Sequence, residues 1–332
     1  MNHFGRLFQL SIYGESHGGG VGVVIDGVRP GIEISEVDFQ TDLSRRKSGG
    51  LGTTPRIEPD QIIVDSGIFN GCTTGAPISL RFLNTNTNSK DYSNLVKHPR
   101  PSHADFVAKE KYDSYNDYRG GGHFSGRITL GLVSAGVIAK KMLEDVSFET
   151  KLINLGGETD PSKFQEKLIE AVKNKDSVGG IVSIRIKGVP VGYGEPFFDS
   201  LESTISHLLF SVGGVKGVEF GTGFNGINMK GSEFNDLIIN ANGKTKTNNN
   251  GGINGGISNG NDIVINVFVK PTASIGVPQE TYNFEHAQIE ELIVQGRHDA
   301  AIVLRAMVVL EACCAIALAD AKLINDTLVK KY

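Results

Sequence analysis

Two segments of this chain read as long apolar helices, and a helix with few polar positions has to be enclosed by other elements. In "DYRGGGHFSGRITLGLVSAGVIAKKMLEDV", Leu130, Val133, Val137, Ile138 and Leu143 fall at helical spacing behind a glycine-rich turn. In "GRHDAAIVLRAMVVLEACCAIALADAKL" a second such run follows another polar turn. Arg305 and Glu311 within it mark a core helix and not a membrane span. Strand-like runs supply the enclosure. "FQLSIYG", "VGVVIDGV", "IIVDSGIF" and "ISLRFL" precede the first helix; "FETKLINL", "GIVSIRIKG", "VKGVEF" and "IVINVFV" precede the second. Shorter helices are expected after Ser35, a good N-cap, and over "DPSKFQEKLIEAVKNKD". The order of strands, glycine turn and long helix thus occurs twice, roughly over residues 1–150 and 151–325, with no charged or proline-rich linker between. The expected fold class is α+β: a single domain over 1–332, a β-α-β sandwich of pseudo-duplicated halves with long core helices between the sheets.

Glycine is the compositional clue, at 42 of 332 residues, about twice the ordinary share of roughly 7%. Many backbone positions therefore need torsions or close approaches that a Cβ would obstruct. The other bulk figures act by exclusion. A formal net charge of −4, from 33 basic and 37 acidic residues, lacks the basic excess of a general nucleic-acid or membrane-surface binder. Cys72, Cys313 and Cys314 form neither an even disulfide framework nor a CxxC knuckle, and no metal site is expected. "MNHFGRLFQLSIYGESHG" lacks the pattern of a secretory signal, so the expected compartment is the cytoplasm.

Four polar segments place ionisable groups beside small residues at the edges of apolar elements. They are "GESHGGG" with His17, "RPSHAD" with His103 and Asp105, "RGGGHFSGR" with Arg119, His123, Ser125 and Arg127, and "GRHDAAIVLR" with Arg297, His298, Asp299 and Arg305. Taken singly, a histidine beside glycine is more often a surface or satisfied buried residue, and a glycine triplet after arginine is more often a turn than a phosphate cradle. Together they describe acid/base chemistry on an anion, because imidazole gives or takes a proton near neutrality and clustered arginine grips anions in bidentate fashion. Arg45 and Arg46 suit either that picture or a solvated helix end that favours cations. Arg127 and Arg305 lie in apolar helical patterns, where an unpaired guanidinium is costly to bury. The glycines of "GESHGGGVG" do not fall in GxGxxG spacing, and the chain has no GxxxxGK[ST] and no HExxH. That removes P-loop and zinc-hydrolase readings.

In this order along the chain, "YGESHG", "RPSHADF...KY", "DYRGGGHFSGR", "NGGINGGISNG", "KPTASI" and "GRHD" resemble the motifs of chorismate synthase, over residues 4 to about 320. The resemblance implies the sandwich of that family. It also implies a carbon–oxygen lyase that converts 5-enolpyruvylshikimate 3-phosphate to chorismate and phosphate by 1,4-anti elimination, the last step of the shikimate pathway towards aromatic amino acids. Reduced FMN is the implied cofactor, lending an electron transiently, with NADPH as an indirect reductant. By the same carry-over His17 protonates the reduced flavin, His103 protonates the departing phosphate, Asp299 works with the flavin in removing the ring proton, and Ser125 is a further catalytic position. The implied FMN contacts are Arg46, His123, Phe124, Ser125, Gly213, Gly214, Gly255, Lys270, Pro271, Thr272, Ala273, Ser274 and Arg297. The implied substrate contacts are Arg45, Arg46, Arg127 and Arg305, and Arg46 also matches the position commonly assigned to a nicotinamide nucleotide. A homotetramer and an external flavin reductase are the implied partners.

The chain departs from the family pattern at Ser102, where glycine is usual, at His123 and Phe124, where arginine and serine are usual, and at Gly213-Gly214, in place of Asn-Ala. These departures leave room for a second reading, a flavin- or phosphate-binding protein without turnover. The stretch "NNNGGINGGISNGND", residues 248–262, resembles a linker in composition but a binding loop by its place among the motifs, with Gly255 as the expected contact and the Asn248–Asn250 run as a candidate mobile flap.

Overall fold

Alternating valine and isoleucine build the first sheet. In chain order come β1 (His3–Phe4), β2 (Gln9–Gly14), β3 (Gly20–Asp26), α1 (Glu36–Arg46), β4 (Ile63–Ser66), a small hairpin of β5 (Ile68–Phe69) and β6 (Cys72–Thr73), and β7 (Ile78–Leu83). The computed structural model describes residues 2–53, 59–85, 94–294 and 298–328. Strands β1-β2-β3-β7-β4 pair in that order, all antiparallel. Val21, Val23 and Ile25 of β3 and Ile78, Leu80 and Phe82 of β7 are fully buried, whereas Val24 faces outward. That one-sided burial fixes the register, because a slip by one residue would reverse the faces.

After α2 (Asp105–Lys111) and α3 (Thr129–Met142), the second half supplies β8 (Ser147–Leu155), α4 (Phe164–Lys173), β9 (Gly180–Lys187), α5 (Leu201–Ser211), β10 (Val215–Phe220) and the single-turn α6 (Gly231–Phe234). The hairpin of β11 (Ile253–Asn254) and β12 (Ile257–Ser258), then β13 (Ile263–Val269), the hairpin of β14 (Gln279–Asn283) and β15 (Gln288–Leu292), and α7 (Val303–Leu328) complete it. Strands β10-β13-β9-β8 form a four-stranded antiparallel sheet with Val182, Ile184, Ile186, Ile263, Ile265, Val267 and Val269 buried.

The helices lie between the sheets. α3 packs on β2, β3 and β7, α7 on β8 and β9, and α5 on β10, while α3 and α7 pack on each other and α1 touches both. This is the expected α+β sandwich. Residues 308–320 of α7 are buried on every side. The α3–α7 crossing is closest at Gly136, where a Cβ would stand 2.4 Å from Ala312 Cβ. One charged group is built into that core. Glu311 accepts both Arg45 terminal nitrogens at 2.7 Å, Lys140 Nζ at 2.5 Å and Thr150 Oγ1 at 2.6 Å, and Asp42 shares Arg45 and Lys140. Burial acts to raise the Glu311 carboxyl, but Arg45 and Lys140 outweigh it and hold it at about 2.

Among the described residues no helix is long and apolar enough to cross a membrane, and no group of His, Cys, Asp and Glu side chains could hold a metal ion. The asparagine run is not a flap in this structure. Asn249 and Asn250 donate their backbone N–H groups to Asp236, and Asn248 Nδ2 donates to Asp262 O, which pins the approach to β11.

Candidate active site

The chemistry-bearing residues sit in turns at the ends of these elements, and a chain of contacts links the turns into a ring. His17 follows β2 and is buried against the turn Gly120–Gly122, whose φ values are 59°, 80° and 54°. A Cβ on Gly120 would stand 2.3 Å from His17 Cε1 and Nδ1, and the N–H of Ser16 donates to Gly122 O at 3.1 Å. Only glycine suits three successive left-handed residues packed this closely. The next glycine faces His103, with Nε2 3.9 Å from the Cβ position of Gly121.

From His103 the contacts pass to the second half. His103 Nδ1 lies 2.6 Å from Asp105 Oδ1, Arg100 clamps Asp105, and Arg100 Nη1 donates to Ser274 Oγ at 2.8 Å. Lys270 Nζ donates to Ser102 O at 2.6 Å, and its backbone N–H donates to Gly214 O at 2.8 Å. Gly214 packs against Ile302, just ahead of α7. Arg305 in the first turn of α7 then donates Nε to Arg46 O at 3.1 Å, and Arg46 donates to Thr129 Oγ1 and Gly126 O at the start of α3. The path ends beside the Gly120–Gly122 turn where it began. An open cleft beside His103 is lined by residues of the 95–124 segment alone, including Asp105, Tyr118, Gly121 and Phe124.

The arginines are partly compensated. Arg127 donates Nη1 to Asp60 Oδ1 at 2.7 Å and also reaches Asn84 Oδ1 and Leu83 O. Arg305 pairs with Asp299 at 3.0 Å, and Arg46 stands 3.7 Å from Asp60. Among the described residues these three guanidinium groups thus share two carboxylates. Burial first, and then the Arg305 and Arg127 charges, lower Arg46 to about 9. Asp60 holds the left-handed φ of 48°, a strained setting for a side chain that meets Arg127. Lys270 is lowered by burial and by Lys216.

Other expected site residues take different places. Ser125 accepts from the Arg127 N–H and caps the turn leading to α3. His123 is engaged at both ring nitrogens, donating Nδ1–H to Gly14 O at 2.7 Å and lying 3.0 Å from Asn2 Oδ1 through Nε2. Phe124 is exposed beside Tyr112. In the Lys270–Ser274 segment Ser274 is buried, and Thr272 Oγ1 is buried with no hydrogen-bond partner among the described residues; Pro271 and Ala273 carry the chain between. Gly213 adjoins Gly214 with open space around its Cβ position.

Two expectations do not meet the ring. Arg45 departs from the expected substrate contact because its fork is taken by Glu311 and Asp42 on the other side of α1. Gly255 tips the β11–β12 hairpin with open space around its Cβ position, and none of the contacts in the ring involves it. Arg297 lies outside the described residues. Sequence reasoning also passed over Asp60, Asn84, Thr129 and Arg100. Arg100 had a signal, two residues before the "SHAD" step, but Asp60 in "EPDQ" had none.

A profile described as chorismate synthase matches residues 8–323. The chain is 54% identical over 327 residues to the chorismate synthase of Chitinophaga pinensis, with 98% of each sequence covered. It is 42% identical over 362 residues to that of Methanocaldococcus jannaschii, with 96% of each covered. A crystal structure of chorismate synthase superposes on it with a TM-score of 0.74 at 25% identity, over 97% of this chain and 93% of that one. With the profile spanning nearly the whole length and a relative more than half identical, the chain belongs to the chorismate synthase family.

Proposed function

We propose that this lyase performs the family's elimination, from 5-enolpyruvylshikimate 3-phosphate to chorismate and phosphate, within the ring of turns. The observation that carries the reading is the convergence of His17, His103 and the Arg46–Arg127–Arg305 cluster from separate parts of the sequence. A substrate bearing a phosphate and carboxylates needs that excess of positive charge.

The residues fit FMN. The buried Thr272 hydroxyl has no partner among the described residues, Lys270 supplies a cation two residues away, and Gly213 leaves the backbone open. Lys270, Thr272 and Ser274 with that turn would hold the phosphate and ribityl chain. Held there, reduced FMN would supply transient electron donation with no net oxidation of the substrate. The chain does the rest. Arg46, Arg127 and Arg305 orient the substrate anions, His103 delivers a proton from Nε2 to the departing phosphate, and His17 holds a proton beside the Gly120 turn. Asp299, paired with Arg305, is the carboxylate for the ring proton, and Ser125 keeps the Arg127 turn in place.

Anaerobic turnover with dithionite-reduced FMN tests the reading, with chorismate as the expected product. Tight FMN binding without product would overturn it. We further propose that reduced flavin comes from an external reductase, with NADPH as an indirect source, that the enzyme works in the cytoplasm, and that residues 1–332 act as one domain. Exposed Phe197, Phe198, Phe224 and Ile227 support a homotetramer by offering apolar surface for subunit contacts, which light scattering would test.

A further inference from the structure

The two ring nitrogens of His103 have different surroundings. Nδ1 lies 2.6 Å from Asp105 Oδ1, whereas Nε2 faces the Gly120–Gly122 turn. Asp105 is itself clamped. Arg100 donates Nε to Oδ2 and Nη2 to Oδ1, each at 2.7 Å, and its backbone N–H to Oδ2 at 3.1 Å. Burial acts to raise the Asp105 carboxyl, but hydrogen bonds from Arg100 and His103 hold it well below the usual carboxylate range. It is an anion with acceptors only, so the nitrogen against it must carry hydrogen. Arg100 Nη2 carries a second hydrogen and lies 3.0 Å from Nδ1, so it would donate there in the other tautomer, but that tautomer would set the Nδ1 lone pair 2.6 Å from the Asp105 anion, and the Nδ1–H form is the one the carboxylate favours.

We propose that Arg100 and Asp105 are a positioning pair that fixes His103 as the Nδ1-protonated tautomer, leaving Nε2 as the atom that gains and gives the proton on the cleft side. The proposal rests on His103 being the acid of the elimination. An imidazolium that gives up its Nε2 proton becomes the neutral Nδ1–H ring, the form Asp105 already supports. No hydrogen bond has to be rearranged during the step. The bond from Arg100 to Ser274 ties the orientation of the ring to the segment after β13, so acid and proposed FMN cradle share one rigid connection.

Asp105→Asn discriminates because of how Arg100 holds the carboxylate. Oδ2 takes two fixed donors, Arg100 Nε and its backbone N–H, against one on Oδ1 from Arg100 Nη2, so the amide oxygen settles at Oδ2 and the amide nitrogen where Oδ1 faced His103. A donor at that point demands the opposite, Nε2-protonated tautomer, as in serine-protease triads. Long-range proton–nitrogen correlation NMR on ligand-free protein with labelled histidine, assigned by loss of the signal in His103→Gln, reads the tautomer at a pH where the ring is neutral. The parent is expected to show hydrogen on Nδ1 and the variant on Nε2. In the anaerobic assay kcat of the variant should fall about 100-fold or more while KM moves by less than about threefold. Hydrogen on Nε2 in the parent overturns the proposal whether or not the variant folds, and so does a folded variant that keeps it on Nδ1. Retained turnover in His103→Ala overturns the acid reading instead and leaves the tautomer result standing.

Discussion

Replacing Arg46 with methionine tests whether the arginine cluster is electrostatically unfavourable until an anion arrives. Arg46 is 3% exposed, and burial with the charges of Arg305 and Arg127 lowers it from 12.5 to about 9. At about 1.4 kcal/mol per tenfold, that displacement disfavours the charged form by roughly 5 kcal/mol. Its hydrogen bonds to Thr129 Oγ1 and Gly126 O offset the penalty by roughly 1.5–3 kcal/mol each. Losing them orphans nothing, because Thr129 Oγ1 donates to Gly126 O at 2.6 Å and Asp60 keeps Arg127 at 2.7 Å. Arg46→Met should therefore shift ligand-free stability by no more than about 2 kcal/mol, where breaking an ordinary buried pair costs about 3–5 kcal/mol. A cation lowered on folding means the unfolded chain binds more protons between about 9 and 12.5, so the parent gains stability as pH rises into that window. The variant lacks this gain. Denaturant unfolding at pH near 8 and near 10, each with and without inorganic phosphate, measures both effects. Phosphate should stabilise the parent in proportion to the logarithm of its saturation and the variant much less. A loss above about 3 kcal/mol with undiminished phosphate stabilisation would refute the reasoning, since Arg46 would then be an ordinary structural partner.

Glu311→Gln leaves Arg45 and Lys140 with Asp42 alone and should cost about 3–5 kcal/mol at neutral pH by denaturant unfolding. Because Glu311 is held at about 2 against an ordinary 4.5, its contribution is complete above 4.5 and fades as pH falls toward 2, so the variant should lose stability less steeply there. Ser102→Gly removes a side chain from a backbone φ of 59° and should raise thermal stability by up to about 1 kcal/mol; a drop would reveal a useful serine contact. Gly255 has a φ of 60° and no atom within 4 Å of its Cβ position, so its constraint is torsional and not steric. Gly255→Val should cost about 1–3 kcal/mol and Gly255→Asn clearly less, and equal costs for the two would count against this account.

The sandwich was legible because the repeats of α3 and α7 are local and strongly apolar. The β14–β15 hairpin was not. Gln279–Asn283 and Gln288–Leu292 carry polar side chains on both faces, and what holds them is a small separate cluster of Leu95, Leu292 and Val294 with the N–H of Phe284 on Lys97 O. No hydrophobic period announces such an element. Arg45 and Arg46 show the same limit within the site. Neighbours on a helix point about 100° apart, so one reaches Glu311 and the other Gly126, and nothing local distinguishes them. Asp60 pairs with Arg127 across 67 residues from a segment with no pattern of its own.

The arrangement at the two long helices decides between the readings of these arginines. α3 and α7 present their N-termini toward the same cluster, since Arg46 bonds Gly126 and Thr129 at one and Arg305 sits in the first turn of the other. Helix N-termini favour negative side chains, yet neither first turn holds an acidic residue. Arg127 and Arg305 thus add positive charge where the peptide dipoles already supply it. A fold selected for stability alone would put aspartate or glutamate in those first turns. Two helix ends and three guanidinium groups around two carboxylates make sense as a site completed by an anionic ligand. Cations from both halves are needed for it, which is why the α3–α7 crossing at Gly136 and Ala312 sets the geometry of the chemistry as well as the core.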